Sequence, residues 1–144
     1  MTIGNLRPAT VLIDETAILH KVQHEVARLK KQTQLFAVVK ADAYGHGMLR
    51  VAHVAKAAGA SGFCVALLDE ALDLRAANYT EPVLVLGIVP SQYAAIAAAQ
   101  TVSLPLSSVD WLKQALPVLE AQPELPPLRL HIALDTGMGC IGCT

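Results

Sequence analysis

Charge is scarce in this chain: Asp, Glu, Lys and Arg make up only 16% of its 144 residues, and the formal net charge is −1. That balance offers no basic surface to a nucleic acid or an anionic membrane, and neither partner is expected. A disulfide framework is lacking too. The cysteines number three, an odd set without a secretory context, which points to a reducing cytoplasm. The opening residues Met1-Thr2-Ile3-Gly4-Asn5 hold no basic stretch leading into an apolar core, so no secretory signal is expected. An unbroken membrane-length apolar run is also missing. Pro82 to Val109 carries no charge, but Pro90 and Pro105 interrupt it, with Ser91, Gln92, Gln100 and Ser103 between. A spanning helix wants about 20 predominantly apolar residues. There is no internal repeat, low-complexity tract or linker.

What the chain has in plenty is apolar side chains, at 53%. Such a composition fits an α/β domain with strands covered on both faces, or a piece of a larger fold without its covering partner. The punctuation favours alternating strands and helices. Thr10–Ile13 reads as a short strand, after which Asp14 caps a helix carrying Ile18, Leu19, Val22, Val26 and Leu29 at helical spacing. A strand from Leu35 to Val39 follows, then a helix from about Met48 to Ala58 closed by Gly59. Gly62–Leu67 is the next strand and Asp69–Ala77 the next helix. Strand Val83–Val89, a short helix at Tyr93–Ala99 and strand Thr101–Leu104 come after. Ser107 with Asp110 resembles a capping box for a helix that Pro117 stops or kinks, and Leu128–Leu134 is the last strand. Strands and helices alternating at this spacing predict βαβ units and a parallel sheet.

The chemistry concentrates where the Leu35–Val39 strand ends. Lys40 follows at once, and the chain opens into a turn-like segment holding Tyr44, Gly45 and Gly47. A lysine buried at a strand end has its amine pushed toward neutrality, in the range where it attacks an aldehyde and later moves protons. A lysine merely marking the strand's edge explains the same residue equally well.

A resemblance decides between them. Val39-Lys40-Ala41-Asp42-Ala43-Tyr44-Gly45-His46-Gly47 resembles the pyridoxal-phosphate lysine motif of the alanine racemases. Val65–Ala71, Val83–Gly87 and His131–Gly139 resemble further stretches of that family, in the same order. The resemblance implies an α/β fold: the N-terminal part of a PLP-binding (β/α)8 TIM-type barrel. A closed barrel needs eight strands and about 250 residues. Residues 1–144 are therefore expected to form a partial barrel domain stopping after its fifth strand, without the family's C-terminal β domain. Such a piece would expose two sheet edges and part of the barrel interior.

The same resemblance implies a cofactor, pyridoxal 5'-phosphate, held by Lys40 as a Schiff base. It implies that Lys40 is one of two bases exchanging the α-proton of alanine, supplying D-alanine for peptidoglycan. It implies a phosphate contact from the Tyr44 hydroxyl, and Val38 and Leu86 in the wall around the cofactor ring. Gly45 and Gly47 serve the turn and His46 is structural, while the acids Asp69 and Glu70 complement a helix start. The loop Asp135–Gly139 departs from the pattern. Where the family has an arginine for the substrate carboxylate, this chain has Cys140, and an upstream family lysine is replaced by Ala133. Cys140 and Cys143 form a Cys-x-x-Cys, open to a redox or half-zinc reading. Cys64 lies in an apolar strand and is expected to be a small buried residue. A homodimer is implied, because the family's second base is a tyrosine of the partner subunit. Two alternatives stand beside the racemase: a non-racemase PLP-barrel protein, such as a decarboxylase relative or cofactor carrier, and an inactive structural module.

Overall fold

A computed structural model of the chain describes residues 8–139, 141 and 142. The elements in order are α1 (Glu15–Arg28), β1 (Phe36–Val38), α2 (Lys40–Gly45), α3 (Met48–Ala57), β2 (Gly62–Val65), α4 (Leu68–Ala76) and β3 (Val83–Val85). A 3-10 turn (Ser91–Tyr93) then leads into α5 (Ala94–Ala99), β4 (Val102–Leu106), α6 (Val109–Glu120) and β5 (Leu130–Ile132). The five strands form one parallel sheet in the order β1-β2-β3-β4-β5. Sequential parallel order with a helical crossover at each step is the plan of a β/α barrel wall. Here β1 and β5 are its two open edges, as the sequence predicts.

The pairing register sorts the strand residues onto two faces. Phe63, Val65, Val83, Val85, Val102 and Leu104 are buried in one cluster with Ala71 and Leu74 of α4, Ala94 and Ala97 of α5, and Trp111 and Ala115 of α6. Full burial of Phe63, Leu74 and Leu104 stabilises the layer by about 1.5–3 kcal/mol per side chain. The opposite face carries Val38, Cys64, Leu84 and Ser103, which stand level with one another. Cys64 is buried, and burial pushes its thiol pKa up, so it is a packing residue as expected. Val38, on the edge strand, is 44% exposed.

Capping works largely as the sequence suggests. The Asp14 carboxylate accepts from the Ala17 N–H at 3.0 Å, and Gly59 takes φ +102° after α3, with Val26 of α1 lying against it. Four expectations need correction. Thr10–Ile13 is not a strand: no neighbouring strand takes up its backbone groups, and Val11 and Leu12 stand 83% and 88% exposed. The cap of α6 is Ser108, not Ser107, with its hydroxyl accepting from the Trp111 N–H at 3.1 Å. Pro117 does not end α6, which continues to Glu120 with the Pro117 carbonyl accepting from Ala121 N–H at 3.2 Å. Strand β4 runs through Pro105, which is tolerated because pairing with β3 has already ended at Ser103.

At the opposite end of the sheet from the strand exits, Arg75 ties loops together. From the last turn of α4 it donates to the carbonyls of Tyr79 (2.8 Å), Glu81 (3.0 Å), Gln100 (2.9 Å) and Thr101 (3.2 Å), the segments entering β3 and β4. No helix among the described residues is long and apolar enough to cross a membrane.

Candidate active site

Parallel strands bring all their C-terminal ends to one side, where barrel proteins place their functional groups. Lys40 stands there, directly after β1 and Val39. It is half-buried and not enclosed, so an argument from desolvation does not carry the site. The geometry of the next residues does.

The segment after Lys40, read from sequence as an ordinary turn, is a turn of left-handed helix. Ala41, Asp42, Ala43 and Tyr44 have φ between 51° and 57° and ψ between 35° and 52°. For L-residues this hand costs roughly 1–2 kcal/mol each, and such strain persists only where the surroundings fix it. Residue choice lowers the cost: two of the four are alanines, and Asp is among the residue types that visit this region most readily. Local bonds do the rest. Ala43 N–H donates to Val39 O at 2.9 Å and Gly47 N–H to Asp42 O at 2.9 Å. The Asp42 carboxylate accepts from Met48 N–H at 2.8 Å, capping α3, whose own N-cap residue Gly47 has no side chain to do so. His46 Nδ1 donates to Ala43 O at 2.9 Å, a structural role as expected. Gly45 and Gly47 continue at φ +86° and +92°, which glycine adopts without penalty.

One bond leaves the segment. Glu70 Oε1 accepts from Ala41 N–H at 2.6 Å, while its Oε2 accepts from Ala66 N–H at 2.7 Å and Leu67 N–H at 3.0 Å. A single carboxylate thus spans the exits of β1 and β2. Sequence reasoning saw in Glu70 only a helix-start acid. The sole sequence signal was its place three residues after the N-cap Leu67, where a glutamate can reach back to the cap's N–H.

Tyr44, the last left-handed residue, is 63% exposed, and Lys40 Nζ lies 6.0 Å from the centre of its ring. Leu86 follows β3, its N–H donating to Val65 O at 2.7 Å. By register it continues the face that carries Val38 and Leu84. Next to it, a Cβ on Gly87 would stand 2.5 Å from Ala66 O, so only glycine permits this close approach of the β2 and β3 exits. The structure therefore brings Lys40, Tyr44, Val38 and Leu86 to the C-terminal end of the sheet, with Val38 and Leu86 on one face of it. Ala133 lies just past β5, half-buried, with its N–H on Leu106 O at 3.1 Å. Cys140 and Cys143 lie outside the described residues. Among the described residues there is no group of three or more metal-ligating side chains.

The matched family model is "Alanine racemase, N-terminal domain", over residues 13–144. The chain belongs to the alanine racemase family. It is 87% identical to the alanine racemase of Lacticaseibacillus casei (strain BL23) over all 144 residues, which make up 38% of that protein. Among solved structures, the alanine racemase of E. faecalis superposes with TM-score 0.91 at 46% identity, over 99% of this chain and 38% of that one. A histidine racemase from Leuconostoc mesenteroides superposes with TM-score 0.79 at 37% identity, over 89% of this chain and 34% of that one. The chain thus spans well under half the length of these racemase relatives, and its sheet is the N-terminal part of the family's barrel.

The loop after β5 has its own organising group. Asp135 Oδ1 accepts from the N–H groups of Gly137 (2.9 Å) and Gly139 (3.0 Å), and these bonds hold its carboxyl below the ordinary 3.8. The depressed pKa fixes the sign of a pH effect. Loop order is fully present above the ordinary aspartate range and is lost as pH falls through the lowered value. The amide protons of Gly137 and Gly139 are expected to titrate together with a midpoint below 3.8, followed by NMR. A midpoint at or above that value would mean the bonds do not organise the loop in solution.

Proposed function

We propose that these residues belong to a pyridoxal-phosphate-dependent alanine racemase, a homodimeric enzyme of the cytoplasm that supplies D-alanine for peptidoglycan. The observation that carries this reading is the left-handed turn setting the Lys40 amine beside the Tyr44 phenol at the strand exits. An amine and an exposed hydroxyl on one short turn suit a ligand with an aldehyde at one end and a phosphate at the other. Pyridoxal phosphate, when bound, supplies the aldehyde and the electron-withdrawing ring that make an amino acid's α-proton removable.

The chain's own groups then have distinct tasks. Lys40 Nζ would hold the cofactor, and the same amine would take or return the α-proton on one side of the substrate. Tyr44 would hydrogen-bond through its hydroxyl to a phosphate oxygen, and Val38 and Leu86 would keep water from the ring. In this reading Cys140 stands at the sequence position where the family has an arginine for the substrate carboxylate. The second base and most of the phosphate contacts then belong to the part of the family fold that this chain, spanning 38% of its Lacticaseibacillus casei relative, does not cover.

A second reading, a racemase of another amino acid, is favoured by the likeness to a histidine racemase. One experiment separates the readings. Residues 1–139 are joined to the Lacticaseibacillus casei enzyme from the position of Cys140 onward, and the holoenzyme is given L-alanine, L-serine or L-histidine in deuterated buffer. Fastest α-proton exchange with inversion on alanine is expected. Faster exchange on another amino acid selects the second reading, and cofactor attachment without exchange on any of them selects a non-racemase PLP barrel.

A further inference from the structure

We propose that Glu70 is a positioning residue for Lys40, its carboxylate fixing the backbone that aims the amine. The proposal rests on the assignment of Lys40 as the cofactor-bearing group. Complementing the helix dipole does not account for what Glu70 does, since that needs only a negative charge in the first turn of α4, which the neighbouring Asp69 also provides. Glu70 instead reaches a residue 29 positions away in sequence and accepts from Ala41 N–H at 2.6 Å, immediately after Lys40. That donor opens the left-handed turn. Among the described residues, the turn's other hydrogen bonds stay within residues 39–48. Without Glu70 a strained reversal of helical hand would be held to the sheet by its flanks and by the buried Ala43 side chain, with no hydrogen bond from outside the segment.

A carboxylate is the group this requires. One oxygen accepts from the β1 exit and the other from the two N–H groups at the β2 exit, Ala66 and Leu67. An amide at position 70 has one accepting oxygen. The paired N–H groups and the helix start attract it, leaving the NH2 group facing Ala41 N–H, donor against donor. Glu70→Gln therefore keeps the cap of α4 and loses the tie to Lys40.

The test uses the holoenzyme chimera described above, with Glu70→Gln, Glu70→Ala and Leu68→Ala. Leu68 is buried at the same helix start and makes no contact with Ala41 N–H, so its truncation lowers stability alone. For Glu70→Gln the expected result is a fall in kcat of about 10²-fold, the effect of misplacing a reacting group by about 1 Å. KM for alanine is expected to stay within about two-fold. The visible band of the lysine-bound cofactor is expected to titrate at a shifted pH, and Tm to remain near that of the parent. Leu68→Ala is expected to lower Tm and leave the band and its titration unchanged. If Glu70→Ala does not fold, Glu70→Gln decides. Parental kcat and an unmoved band titration in Glu70→Gln would overturn the proposal, whatever happens to Tm. A parent chimera with no borohydride-stable adduct on Lys40 overturns the Lys40 assignment itself, a failure visible before any variant is made.

Discussion

Replacing Lys40 by alanine in the full-length holoenzyme chimera is expected to abolish the borohydride-stable cofactor adduct and lower kcat by about 10⁴-fold or more. That figure is the upper end of what one positioned acid–base group contributes. Lys40 also provides the attachment, so both tasks fail together. The fold should survive. Lys40 is half-buried, and the hydrogen bonds of the turn behind it run through backbone groups and the side chains of Asp42, His46 and Glu70. Peptide mapping after reduction checks the adduct, and circular dichroism in the far ultraviolet checks the fold. Stoichiometric adduct on some other lysine, with racemisation retained, would sink the assignment of Lys40. Partial recovery of turnover by a small added primary amine would support it, because the missing group is then supplied in solution.

The second large effect lies at the far end of the sheet and concerns stability. Arg75→Met keeps the aliphatic stem and strips four carbonyls of their donor. Hydrogen bonds to a charged group are worth about 1.5–3 kcal/mol each. Those to Tyr79 and Glu81 are part-buried and those to Gln100 and Thr101 exposed, where water replaces the donor at little cost. A loss of about 3 kcal/mol follows, a large share of a native stability of about 5–15 kcal/mol. Arg75→Lys should recover less than half of it, because a point charge cannot serve a planar fork of acceptors. Urea titration of the two variants measures both. An unchanged midpoint in Arg75→Met would show that the carbonyls are satisfied equally well by water.

The sheet was legible in the sequence because its signals are local. Apolar runs such as Val83–Val85, punctuated by Pro82 and Gly87, announce a buried parallel strand, and Asp14 and Gly59 mark helix ends by their own chemistry. The misses have a common cause in partners remote along the chain. Thr10–Ile13 has the composition of a strand, but strand formation needs a neighbour, and none pairs with it here. Pro117 carries a local helix-breaking signal, yet α6 continues past it to Glu120. The hand of Ala41–Tyr44 is set partly by Glu70, so no window of nine residues around Lys40 could disclose it. The candidate residues Lys40 and Tyr44 stand out by their motif, whereas Glu70 and Arg75 act through backbone groups and leave almost no motif behind.

The reversed turn uncouples two properties that usually travel together. Surface positions ordinarily accept most substitutions, since a side chain in water constrains little. Ala41, Asp42 and Tyr44 are all exposed, yet each holds a backbone conformation that valine, isoleucine or threonine can scarcely adopt. The main chain therefore constrains these positions in addition to whatever their side chains do. A substitution that would pass unnoticed on the outer face of α3 would here tilt the platform carrying Lys40.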